Sequence, residues 1–165
     1  SYFFNDIYKY YWNLREFLKL INLNPNERLI LFGEDNPFIL ILLQNLRIPR
    51  FDIAICNLSK IKFFKNLARS LKITNIKLYG TPYDEAIKNL DYYKYFIINN
   101  KFITIKELKF LLKNICSTCK NKKVFIVYLN PVFNHIFGDY NLFLIDDIKS
   151  ELSTRVHLYT NFAKN

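Results

Sequence analysis

Short apolar runs rich in strand formers alternate with helix-like segments along most of this 165-residue chain, and that order limits the folds open to it. A first helix is expected over 6–21, where Ile7, Tyr10, Tyr11, Leu14, Phe17, Leu18 and Ile21 recur at helical steps. "NLNPNE" breaks it, and "RLILF" then reads as a strand covered on both faces. Pro37 suits the first turn of a helix that runs through "FILILLQNL" and stops before Pro49. "FDIAIC" is a second strand. "NLSKIKFFKNLARSLK" is a second amphipathic helix, with Leu58, Ile61, Phe64, Leu67, Ala68 and Leu71 on one face and Asn57 or Ser59 as its cap. "NIKLYG" and "YKYFIIN" are strands three and four, separated by the turn and short helix of "TPYDEAIKNL". "TIKELKFLLKNI" is a helix whose Thr104 and Glu107 have capping-box spacing. "KKVFIVYL" is strand five, and "NLFLIDDI" and "TRVHLYTNF" are two closing strands.

Strands alternating with helices mean βαβ units, a mostly parallel sheet and right-handed crossovers. Too few residues separate the last two strands for a crossover helix, so they should form an antiparallel hairpin at the sheet edge. The chain, 1–165, thus reads as one α/β domain, with 1–24 leading into the sheet. Its 51% hydrophobic content is enough for a packed core.

Composition narrows the partners. Asn, Lys, Ile, Phe and Tyr all use AT-rich codons, so an AT-biased genome accounts for much of the aromatic excess. The net charge of +10 favours anionic partners, namely nucleic acid such as RNA, a ribonucleoprotein or an acidic protein, unless codon bias alone inflates lysine. Three cysteines, an odd number, argue against a disulfide framework and for a reducing intracellular compartment, cytoplasm or organelle matrix. Cys116 and Cys119 form C-x-x-C, but a zinc site needs about four ligands, and Cys56, His135 and His157 lack ligand spacing. The three are expected to be ordinary thiols, with no metal. No apolar run reaches the roughly 18 residues of a membrane span. The start lacks the pattern of a signal peptide, and Ser1 in place of Met suggests trimming.

A leading helix, five alternating βα units and a final hairpin resemble the Rossmann-like S-adenosylmethionine-dependent methyltransferases. The order fits nearly the whole chain, but the motifs are degenerate. The family's first strand typically ends acidic-x-Gly-x-Gly-x-Gly. Laid on "LILFGEDNP", Leu31 takes the acidic place, Gly33 the first glycine, and Asp35 and Pro37 the other two. The resemblance implies a cofactor site at Gly33, Glu34, Asp35, Asn57, Gly80 and Asp84. Glu34 and Asp35 suit a sulfonium or the methionine amino group and would repel a phosphate. They equally suit the dipole of the next helix. Asn57 stands where an acid usually holds the ribose hydroxyls, and lacks that acid's charge and symmetry. Gly80 and Asp84 follow strand three, near the expected adenine. Asn99 and Asn100 follow strand four at the substrate position, without a Pro-Pro-aromatic shelf. Asn99 is the candidate catalytic residue.

"LILFGEDNPF" also resembles the start of response-regulator receivers, but the phosphoacceptor Asp and the Lys of that family are missing at the ends of strands three and five. Ser59, Ser70, Ser117, Ser150 and Ser153 lack the G-x-S-x-G setting of a nucleophile. His135 near Asp139 is a candidate base in a loop after strand five, and His157 sits within a strand. Lys60, Lys62, Lys65, Arg69, Lys120, Lys122 and Lys123 are candidates for nucleic-acid contacts. Tyr8, Tyr10, Tyr11 and Trp12 exceed one buried stripe and suggest a protein partner surface. Two functions follow. One is a methyltransferase-like binding or structural subunit that has lost its cofactor. The other is an active S-adenosylmethionine-dependent enzyme acting on RNA or an RNA-associated protein. An active site needs room beside Gly33; a lost one should be filled by side chains such as Asp35, Phe38 or Tyr79.

Overall fold

A computed structural model describes residues 14, 15, 18, 24, 26–48, 50–74, 76–149 and 155–162. Leu14, Arg15 and Leu18 are helical, with both leucines buried. The rest of the expected first helix, including Tyr8, Tyr10, Tyr11 and Trp12, lies outside the described residues, as do Pro49, Ser150 and Ser153.

The expected alternation is present. In chain order come β1 (Leu29–Glu34), α1 (Ile39–Asn45), β2 (Phe51–Ile55), α2 (Ile61–Ser70), β3 (Leu78–Gly80), α3 (Asp84–Ile87), β4 (Tyr95–Asn99), α4 (Ile105–Thr118), β5 (Phe125–Leu129), α5 (His135–Asp139), β6 (Phe143–Lys149) and β7 (Arg155–Thr160). They build one sheet in the order β3-β2-β1-β4-β5-β7-β6. The first five strands pair parallel, and β7 runs antiparallel to both β5 and β6. The hairpin sits at the edge as expected, with its second strand inserted against β5. Burial explains the order. Val156, His157, Tyr159 and Thr160 of β7 are covered, whereas β6 is mostly exposed.

The pleat sends alternate residues to opposite faces. Leu29 and Leu31 join Ile53, Ile55, Leu14 and Leu18 beneath α1 and α2. Ile30 and Phe32 join Ile98, Tyr83 and the buried stripes of α4 and α5 on the other face. In α2 the expected stripe is narrower than its pattern. Phe64 and Ala68 are buried, while Leu58 lies before the helix in a 3-10 turn and is 54% exposed. The α4 capping box is complete: Glu107 N–H donates to Thr104 Oγ1 at 3.1 Å, and Thr104 N–H donates to Glu107 Oε1 at 3.1 Å. The stretch after β5, read as a loop, instead forms α5. Ile136 and Phe137 are driven into the core, with Phe137 stacked 3.9 Å from Tyr159. Among the described residues no helix is long and apolar enough to cross a membrane.

Candidate functional site

The C-terminal ends of β1 to β4 bring the sequence candidates to one edge of the sheet. Gly33 has φ +85°, and a side chain there would meet Asn99 O at 2.8 Å and Ile103 Cγ1 at 2.8 Å. Positive φ and close backbone approach both require glycine. The β1–β2 register shifts between Phe32 and Glu34, which buries the Glu34 side chain. Glu34 Oε1 then accepts the N–H groups of Asp35 at 3.1 Å and Asn36 at 3.0 Å. The first turn of α1 holds no acid, so Glu34 serves its own turn and not the helix dipole. Asn36 Oδ1 accepts from Phe38 N at 3.1 Å and shapes the entry to α1.

At the end of β2, Asn57 caps the 3-10 turn Leu58–Lys60. Its Oδ1 accepts from Ser59 N at 3.1 Å and from Ser59 Oγ at 2.7 Å. Leu58 lies across Gly80, where an added Cβ would come within 2.1 Å of Leu58 Cδ2. Asp84 is exposed as the first residue of α3. Between these ends lies Tyr83, buried edge-on to Phe32 with ring centroids 5.4 Å apart. Its hydroxyl has no hydrogen-bond partner among the described residues. Burial, and then the charges of Glu107 and Cys56, push its pKa up.

Asn99 is 1% exposed. Its Oδ1 accepts from Lys101 N and from Asn130 Nδ2, each at 3.1 Å. Asn100 Oδ1 accepts from Tyr128 OH at 2.7 Å. Both asparagines therefore tie β4 to β5. Phe38 is exposed, and the Tyr79 hydroxyl accepts from Asn89 Nδ2 at 3.2 Å. The side chains packed onto the two motif glycines are Ile103 and Leu58. The sequence reading missed both, although each directly adjoins a candidate segment. His135 and Asp139 are exposed at the two ends of α5.

The thiols are held protonated. Burial, then Asp35 and Glu34, push Cys56 up from 9.0 to about 12. Burial, then Cys119, takes Cys116 to about 11, and Cys119 is raised too. Among the described residues no group of His, Cys, Asp or Glu could hold a metal ion. Burial takes Tyr159 from 10.0 to about 12 as well. Each group binds its proton more tightly folded than unfolded, so its contribution is complete below about pH 9 and is lost as pH climbs toward about 12. Thermal unfolding midpoints should therefore fall steadily between these limits. A thiol reagent at neutral pH should label the native chain far more slowly than the unfolded one. Equal labelling rates would contradict the burial of Cys119 and the partial burial of Cys56 and Cys116.

The basic candidates fall into two sets. Lys62, Lys65 and Arg69 lie on α2 and Lys60 just before it, with Lys60 Nζ 5.7 Å from the centre of the exposed Phe63 ring. Lys120, Lys122 and Lys123 lie between α4 and β5, at the opposite end of the strands.

No family model matches the sequence, and no curated protein matches it. Solved structures do match its fold. MtNAS, in a mutant form bound to S-adenosylmethionine, superposes with TM-score 0.69 at 14% identity, covering 92% of this chain and 62% of that one. A precorrin-6y C5,15-methyltransferase from Geobacter metallireducens gives TM-score 0.66 at 13% identity, covering 92% and 88%. An S-adenosylmethionine-dependent methyltransferase from Aquifex aeolicus gives 0.67 at 9% identity, covering 89% and 88%. The chain spans about three fifths of the length of MtNAS. The fold is the Rossmann-like fold of S-adenosylmethionine-dependent methyltransferases.

Proposed function

We propose that this chain is a methyltransferase-like domain that has lost its cofactor and acts as a binding or structural subunit of a larger assembly, a ribonucleoprotein in a reducing intracellular compartment. The state of Asn99 carries this reading. The residue in the substrate position is buried, and its carbonyl oxygen already has two donors from its own fold. Asn57 is engaged in the same way by Ser59, and Leu58 covers Gly80 beside the expected adenine position. A ribose at Asn57 would have to compete with Ser59 for Asn57 Oδ1, and an adenine would have to move Leu58 aside.

The second reading, an active methyltransferase on RNA or an RNA-associated protein, draws on the acidic turn. Glu34 and Asp35 both act on Cys56 and would favour a sulfonium there. Calorimetry with S-adenosylmethionine and S-adenosylhomocysteine separates the two. No binding at millimolar ligand is expected for the natural chain. Micromolar binding would restore the enzyme reading. An Asn57→Asp, Leu58→Ala variant restores the ribose acid and clears Gly80, and Asp caps as well as Asn. Binding gained only in that variant would locate the loss at these two residues.

A further inference from the structure

We propose that the N-terminal rim of the sheet, opposite the methyltransferase-type cleft, is a binding surface for single-stranded RNA. The proposal rests on the ribonucleoprotein reading and names the surface and partner class. Phe51, Leu29, Tyr95 and Phe125 stand side by side in register across β2, β1, β4 and β5. The residues that lead into the first three are Arg50, Arg28 and Lys94, one cation per strand at the roughly 4.8 Å strand spacing. Their backbones are joined directly: Leu29 N–H donates to Arg50 O at 3.1 Å, and Lys94 N–H to Arg28 O at 3.1 Å. Lys123 extends the row before β5, with Nζ 5.4 Å from the Phe125 ring centre. Crossover topology places these residues together although they are far apart in sequence.

Aromatic rings accompany the cations. Tyr92 is 62% exposed, and the Arg28 guanidinium sits 5.9 Å from its ring centre. Phe162 is exposed just beyond Thr160, which stands opposite Phe125. Three acids lie at the rim: Glu27 is 3.8 Å from Lys94 Nζ, Asp91 is 3.7 Å from Lys122 Nζ, and Asp52 is buried against Lys77 N–H and the Tyr93 hydroxyl. Arg28, Arg50, Lys94, Lys122 and Lys123 outnumber them, so the rim keeps a positive balance. A polyanion with accessible bases fits both features: phosphates neutralise the cations, and bases stack on exposed rings. A duplex hides its base faces, and an acidic protein has no need of the rings.

The test is fluorescence anisotropy of a labelled oligouridylate with the full chain. Arg50→Glu, Lys94→Glu and Lys123→Glu together should weaken binding by about 100-fold and cut the slope of log affinity against log salt by about 2–3. Tyr92→Ala alone should cost about tenfold. The triple Lys60→Glu, Lys62→Glu and Lys65→Glu, in the other basic set, is the competing arm and should weaken binding clearly less than the rim triple. Thermal unfolding verifies each fold, and the Gln series replaces any charge reversal that fails to fold. Loss of binding in the α2 triple but not the rim triple would overturn the rim and leave the ribonucleoprotein reading standing. Equal competition by polyglutamate would make the partner an acidic protein. No binding by the natural chain would overturn the RNA partner, while calorimetry with the cofactor decides the enzyme question separately.

Discussion

Gly33→Ala is expected to destabilise the chain by about 2–5 kcal/mol, the largest effect of any single methyl group added at this edge. Two costs combine. The backbone at φ +85° is one that L side chains rarely adopt, worth about 1–2 kcal/mol. The new methyl would also press on Asn99 O at 2.8 Å and on Ile103 Cγ1 at 2.8 Å and Cδ1 at 2.9 Å. The carbonyl belongs to the end of β4 and cannot swing aside as a side chain tip can. The strain should open the junction between β1 and β4 and so disturb the Asn99–Asn130 bond. Urea unfolding measures the loss directly. A change below about 0.5 kcal/mol, the range of an ordinary surface substitution, would mean that the turn relaxes freely and that Gly33 is not required here.

Asp52→Ala is expected to cost about 2–4 kcal/mol, although Asp52 lies at the far end of β2 from the candidate site. Its carboxylate is buried and holds two donors. Lys77 N–H gives a bond of 2.8 Å to Oδ1, and the Tyr93 hydroxyl donates to Oδ2. Asp52 thereby ties together the entries to β2, β3 and β4. Burial first, and then the bond to Asp52, raise the Tyr93 pKa, so the hydroxyl stays a donor through neutral pH. Removing the carboxylate takes this acceptor from the buried Tyr93 hydroxyl and from the part-buried Lys77 N–H. Tyr93→Phe should cost about 1–3 kcal/mol, because one carboxylate oxygen then loses its partner. The double variant should cost clearly less than the sum, since each single change already breaks the same bond. Strict additivity in urea unfolding would show that the two groups are not coupled.

An acid in the apolar run "FDIAIC" marks Asp52 in the sequence, yet its partner could not be read there. Tyr93 is 41 residues away and meets it only after β1 and β4 have aligned. Leu58 shows the same limit. It lies on the helical stripe of its neighbours, but a 3-10 turn set by Asn57 moves it off that stripe and onto Gly80. Glu34 and Asp35 left two roles open on the sequence. The shift in β1 register buried Glu34 and gave its carboxylate to the turn.

Periodicity and order, which are local, determined the elements. Apolar runs marked the strands, three- and four-residue steps marked the helices, and Thr104 with Glu107 marked a cap that formed as spaced. Alternation along the chain then determined a mostly parallel sheet. Only the tertiary structure decided that β7 lies between β5 and β6, that Asn99 is closed off by Asn130, and that Arg50, Arg28 and Lys94 form one row. Each depends on which distant strand ends become neighbours. That choice is made by the burial of whole faces, such as the covered side of β7, and no local pattern along the chain records it.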